Sequence, residues 1–168
     1  MSYLAIFILW LHVLAAITWI GGMIFTLATL VPNLKTPLSI EQLRLFQNAQ
    51  TRFHFLAARA AEIIVLTGIF NVLIRGYYSQ FQYSPAYMWL LTLKIILLGV
   101  MIAIRVISSR TAVSKISDFL LTLPPAKQFT DQIPDSIMQL QRRSQHFLMI
   151  NTVLGLVVLF LALMLRNF

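Results

Sequence analysis

The sequence predicts an all-α integral membrane protein: a four-transmembrane-helix bundle with cytoplasmic helix extensions. Three observations predict it. Of the 168 residues, 59% are hydrophobic and only 11% charged, against roughly 25% charged in soluble domains. The mean hydropathy is +0.82, too apolar for a globule of this size to hide its side chains from water, so lipid must serve as solvent. Four apolar runs reach the length of about 20 residues that crosses a bilayer: Leu4–Leu30, Leu56–Ile74, Tyr87–Ile107 and Phe147–Leu165. No repeat or low-complexity segment separates them, so 1–168 is expected to form a single membrane domain.

The first run is expected to be a retained helix and not a signal peptide. It is longer than a signal h-region of about 7–15 residues and has no basic residues before it. The second helix is expected to start near Ile40, where Ser39 and Gln42 form a capping box, and no Pro or Gly interrupts it before Gly68. Pro124-Pro125 should end any helix that trails the third run. Pro134 suits the first helical position and opens a fourth helix towards Leu165. The long second and fourth helices should meet in a short stalk beyond the membrane.

Charge sets the expected topology. The chain carries a net +8, and its basic residues cluster in two connections. Lys35, Arg44, Arg52 and Arg59 flank the first; Arg105, Arg110, Lys115, Lys127, Arg142 and Arg143 flank the third. Arg75 and Arg166 lie on the other side. The positive-inside rule places the first and third connections in the cytoplasm and both termini in the periplasm. This assignment also accounts for the charge through anionic headgroups, so no nucleic-acid partner is expected. Tyr77, Tyr78, Tyr83, Tyr87 and Trp89 should form an aromatic belt at the outer face. The absence of cysteine excludes disulfides, thiolate metal sites and iron–sulfur clusters.

Two polar residues lie deep in apolar runs, where burial in lipid costs several kcal/mol. From the outer ends, His12 is about 13 Å deep and Lys94 about 10 Å, at a rise of about 1.5 Å per residue. Their helices run in the same direction, so they should meet at one level. A neutral imidazole ligates haem iron or copper, and an ammonium can hold a propionate. The bland alternative is a hydrogen-bonded core histidine beside a lysine that snorkels along its stem. His12, Ala15, Trp19, Gly22 and Thr26 share one face of the first helix, and Lys94, Met101 and Arg105 one face of the third. Arg59 and Glu62, three residues apart, are expected to pair, with propionate binding by Arg59 as the alternative. His54 and His146 are expected near the cytoplasmic boundary, with Met23, Met101 or Met149 close in depth, as a second ligand site or as solvated histidines. Asn71 and Asn151 read as interhelical hydrogen-bond residues. There is no metalloprotease, P-loop, nucleophile-elbow or dinucleotide motif, and no Met-x-x-x-Met ladder of a soft copper conduit.

The stretch Leu11-His12-Val13-Leu14-Ala15-Ala16-Ile17-Thr18-Trp19-Ile20-Gly21-Gly22, with Pro32, resembles the opening helix of the CopD copper-resistance domain. Arg59 with Leu66-Thr67-Gly68-Ile69-Phe70-Asn71 resembles its second helix, Leu93-Lys94 its third, and Asn151 with Leu154-Gly155 its fourth. The resemblance covers essentially the whole chain and is most specific in the first helix. His12 and Lys94 also resemble the pair in the related HemJ-type membrane protoporphyrinogen oxidases, which bind haem b. The resemblance implies a bacterial inner-membrane protein holding haem b between its helices, for electron transfer or oxidation of a hydrophobic, porphyrinogen- or quinone-like substrate. His12 would be the metal ligand and Lys94 a second ligand or catalytic group; Trp19, Arg59, His54 and His146 are further cofactor-binding candidates. The alternatives are copper handling at the periplasmic face, through His12 and Met88, and a non-catalytic assembly partner. A membrane redox partner and a homo-oligomer are compatible with either cofactor.

Overall fold

The computed structural model describes residues 3–32, 40–122 and 133–165. Every regular element among them is helical: α1 (Tyr3–Phe25), α2 (Ile40–Tyr78), α3 (Pro85–Ser108), α4 (Ser114–Thr122) and α5 (Asp135–Leu165). Four continuous helical stretches are long and apolar enough to cross a membrane. α1 packs chiefly on α2, α3 chiefly on α5, and α1 joins the two pairs through α5.

The start of α2 at Ile40 agrees with the capping box, although Ser39 lies outside the described residues. Pro124-Pro125 also lies outside them. Pro134 directly precedes α5, and its carbonyl accepts from the Ile137 and Met138 amides. That is the role of a cap, one residue earlier than the first helical position. Ser84 caps α3, accepting from the Tyr87 amide at 3.2 Å, with Pro85 in the first turn.

Two wide π turns have no counterpart in the sequence reading. One continues α1 over Thr26–Leu30 and the other joins α3 to α4 over Ser109–Val113. The second has a visible purpose. A π turn inserts an extra residue and rotates the helix beyond it. Met101 and Ser108 are buried before it, Ala112 and Val113 within it, and Ile116 after it. The inward face therefore continues from the membrane segment into the stalk.

There are two cores. Within the spans, Ala15, Trp19, Ile20 and Met23 of α1 meet Ala57, Ala60 and Ile64 of α2 and Met101 of α3. In the stalk, Ile40 and Leu43 pack with Ile116, Ile133 and Ile137. Most remaining apolar side chains point outward, Leu4, Leu66, Ile95 and Phe160 among them, as expected where lipid covers the bundle. At the opposite end from the stalk, Tyr77, Tyr78 and Trp89 are exposed, as in an aromatic belt. Tyr87 is not part of that belt: it is buried, stacked on Tyr83 with ring centroids 5.2 Å apart and capped by the Arg75 guanidinium at 4.5 Å. The tight return is made by Gln80 and Phe81, both in left-handed backbone conformation. Tyr83 Oη donates to the Val72 carbonyl at 3.0 Å, and Gly76 leaves room for the Phe81 and Tyr83 rings, which a Cβ would strike.

Candidate functional site

His12 has a built environment. Its Nδ1 lies 2.8 Å from Thr67 Oγ1 on α2. The Thr67 hydroxyl donates its own proton to the Ile63 carbonyl, so Thr67 Oγ1 accepts from His12 Nδ1–H. This fixes the tautomer and leaves the Nε2 lone pair free, as in a metal-ligating histidine oriented by an outer partner. The ring lies against Gly68, where even an added Cβ would be 3.4 Å from Cε1. Lys94 of α3 is half-buried and near enough for its charge to act on His12. Among the described residues no carboxylate pairs with Lys94. Met88, named with His12 for copper, is exposed at the start of α3.

Towards the stalk lies a second polar region. A cleft between all four spans is lined by Trp19 and Met23 of α1 and Thr26 of the π turn that continues it, Gln50, Phe53 and His54 of α2, Ile104, Arg105 and Ser108 of α3, and Ser144, Phe147, Leu148 and Asn151 of α5. It thus brings together two of the sequence candidates, Trp19 and His54. It does not include His146, which is exposed, with Nδ1 bonded to the carbonyl of Arg142, one turn away, at 2.8 Å. Hence the two histidines do not share this cleft: α5 turns Ser144 and Asn151 inward and so points His146 away. Arg59 is also elsewhere. Its Nη1 donates to Glu62 Oε2 at 2.7 Å, and the two side chains are 60% and 57% exposed. The ion pair follows the spacing argument, but it sits on the outer surface of α2, over the Phe55 ring.

Met23 and Met101 come from different helices and are 0% and 2% exposed. Both methyl groups converge on Gly155, 3.4 and 3.3 Å from where a Cβ would be. A search for spaced methionines along one helix cannot detect such a pair. No group of three or more His, Asp or Glu side chains is arranged as a metal site among the described residues. A hard or octahedral cation is therefore poorly served, whereas imidazole and thioether donors suit copper.

These features define a multi-pass helical membrane protein with an oriented histidine in one half of the bundle and a polar cleft in the other. The family model described as CopD, Copper resistance protein D, matches residues 47–165, more than half of the chain, and the chain belongs to that family. The matched segment starts within α2, so the His12 stretch of α1 lies outside it. Comparison with curated proteins and with solved structures gave no match.

Proposed function

We propose that this CopD-family protein handles copper in the bacterial inner membrane, and that His12 is its ligand in the outer half of the bundle. The observation that carries this reading is the His12–Thr67 hydrogen bond, which presents Nε2 as a free donor. Copper accepts imidazole and thioether ligands, and Met23, further along the same helix, is buried with Met101 of α3 and supplies thioethers deeper in the bundle. In this reading copper is cargo, both termini and the aromatic end face the periplasm, and the basic connections face the cytoplasm.

The test is cuprous-ion binding by purified protein, measured by competition with a chromophoric chelator. His12→Ala should remove one bound copper. Thr67→Val removes only the orienting partner, and loss of such partners costs about 10–100-fold in metal affinity. Unchanged stoichiometry and affinity in both variants would exclude His12 as a ligand.

Haem b is the second reading, because a porphyrin iron would bind the same Nε2 and Lys94 would suit a propionate. The cleft near His54 does not fit that group. It leaves about 30 Å³ accessible to a water molecule, room for two or so waters at about 10–15 Å³ each and not for a macrocycle. A Soret absorption in the purified protein that is lost in His12→Ala would favour haem over copper, and with it an oxidoreductase role.

A further inference from the structure

We propose that the cleft around Arg105 is a water-filled vestibule for small anions, entered from the side of the basic connections and closed towards the membrane centre by Trp19, Met23 and Met101. It is a different site from His12, in the other half of the bundle.

The first argument is polar accounting. Gln47, Gln50, Gln141 and Asn151 are each at most 5% exposed. The oxygens of Gln47, Gln50 and Asn151 and both amide atoms of Gln141 have no protein partner. Each such group costs about 1–3 kcal/mol unless it is satisfied. Their remaining bonds tie the seam together: Gln50 Nε2 donates to Ser144 Oγ at 3.0 Å and Gln47 Nε2 to the Val113 carbonyl of the π turn at 2.7 Å. On α2 the stripe runs Gln47, Gln50, His54; on α5 it runs Gln141, Ser144, Asn151. Both are helical faces, and they lead from the stalk into the membrane. Water is the partner that serves such amide ends: Gln50 and Asn151 line the cleft, which has room for two or so molecules, and Gln47 and Gln141 lie further along the same stripes towards the stalk. Lipid cannot serve them. Beyond Asn151 the seam meets Gly155, against which Ile20, Met23 and Met101 pack, and the polar stripe ends.

The second argument is charge. Arg105 and His54 line the cleft, with the hydroxyls of Ser108 and Ser144 beside them. Among the described residues no acidic side chain lines it, and the ion pair seen among them is Arg59 with Glu62. A half-buried guanidinium with hydroxyl donors around it attracts an acceptor of negative charge. A bare cation entering from this side meets a repulsive wall.

The natural sequence has no cysteine, so single substitutions report directly. Ser144→Cys, Ser108→Cys and Asn151→Cys would be treated in inverted membrane vesicles with impermeant methanethiosulfonate reagents, one anionic and one cationic. Gln139→Cys, exposed on the stalk, gives the reference rate; buried Ala57→Cys and outward Val153→Cys are the dry controls. Thermal stability in detergent confirms that each variant is folded. The cleft positions should react and the dry controls should not. The anionic-to-cationic rate ratio, normalised to Gln139→Cys, should be raised about tenfold by the focused field and should fall towards the reference in Arg105→Gln. Folded variants whose cleft cysteines stay unreactive would overturn the vestibule. A ratio that does not respond to Arg105→Gln would overturn its anion preference. Copper binding at His12 is untouched by either result.

Discussion

Gly21 and Gly22 are adjacent, yet alanine should have opposite effects at the two positions. An added Cβ at Gly21 meets nothing within 4 Å. Alanine there removes the conformational cost of a helical glycine, worth about 0.5–1 kcal/mol, and should stabilise the protein. At Gly22 the added Cβ overlaps the ring of Phe53, with Cδ2 at 2.9 Å and Cζ at 3.0 Å and Cε2 closer still. A ring cannot flex out of the way as a chain end can, so Phe53 must move into the cleft it lines or α1 must separate from α2. Overpacking of this kind costs about 1–3 kcal/mol, more than the backbone gain at the same site. For a chain of this size each kcal/mol shifts Tm by about 2–4 °C. Thermal unfolding in one detergent should therefore rank Gly21→Ala above the natural sequence and Gly22→Ala below it. Phe53→Leu shortens the obstructing side chain, so the double variant Gly22→Ala with Phe53→Leu should recover part of the loss, a coupling of about 0.5–3 kcal/mol. If both glycines respond with the same sign, or if the cycle is additive, the α1–α2 contact described here is wrong.

The Arg59–Glu62 pair offers a second cycle. Arg59 lies about 24 Å from Arg75 along α2 at about 1.5 Å per residue, near the inner edge of a hydrocarbon layer about 30 Å thick. The coupling should be about 1 kcal/mol, between the ~0.3–0.5 kcal/mol of water-exposed helical pairs and the ~3–5 kcal/mol of a pair sealed in protein; a zero coupling energy would mean that the two residues act independently. For orientation, an alkaline phosphatase fused after Phe168 should be active and a fluorescent cytoplasmic reporter at the same place dark; the reverse pattern would invert the topology.

Much of the fold was legible in the sequence because its signals are long. Twenty apolar residues in a row leave few options, and the helix starts at Ile40 and beside Pro134 follow from local caps. The inward face of α1 was legible too, since Ala15, Trp19 and Thr26 are buried at the spacing that periodicity gives. The π turns were not, because one extra residue in a helix leaves no compositional trace. Tyr87 was misjudged as a belt residue: aromatic enrichment marks an interface, but cannot say which ring a neighbouring Arg75 will cover. His54 and His146 looked equivalent from depth alone. What separates them is helix rotation: α5 turns Ser144 inward and so turns His146 out. The cleft itself needs residues from four helices, and no single stretch of sequence carries it.

The two polar regions are separated by an apolar layer, and that separation constrains any transport reading. His12 lies nine residues along α1 from Tyr3 and Met23 twenty, about 13 and 30 Å at the helical rise. Between them Ala15, Trp19 and Ile20 are buried against Ala57, Ala60 and Ile64, with no polar side chain of the core among them. A charge held in that layer without a ligand costs several kcal/mol. A free cuprous ion would not cross it by diffusion along the bundle axis. Transfer from His12 would need thioethers within reach, and the buried Met23–Met101 pair at Gly155 is the soft donor set on the far side of the layer. Past that pair Arg105 sets a positive field. Under the proposed copper reading, the bundle would therefore favour retention of copper at its own donors over release of a bare ion through the stalk, with binding first and movement second.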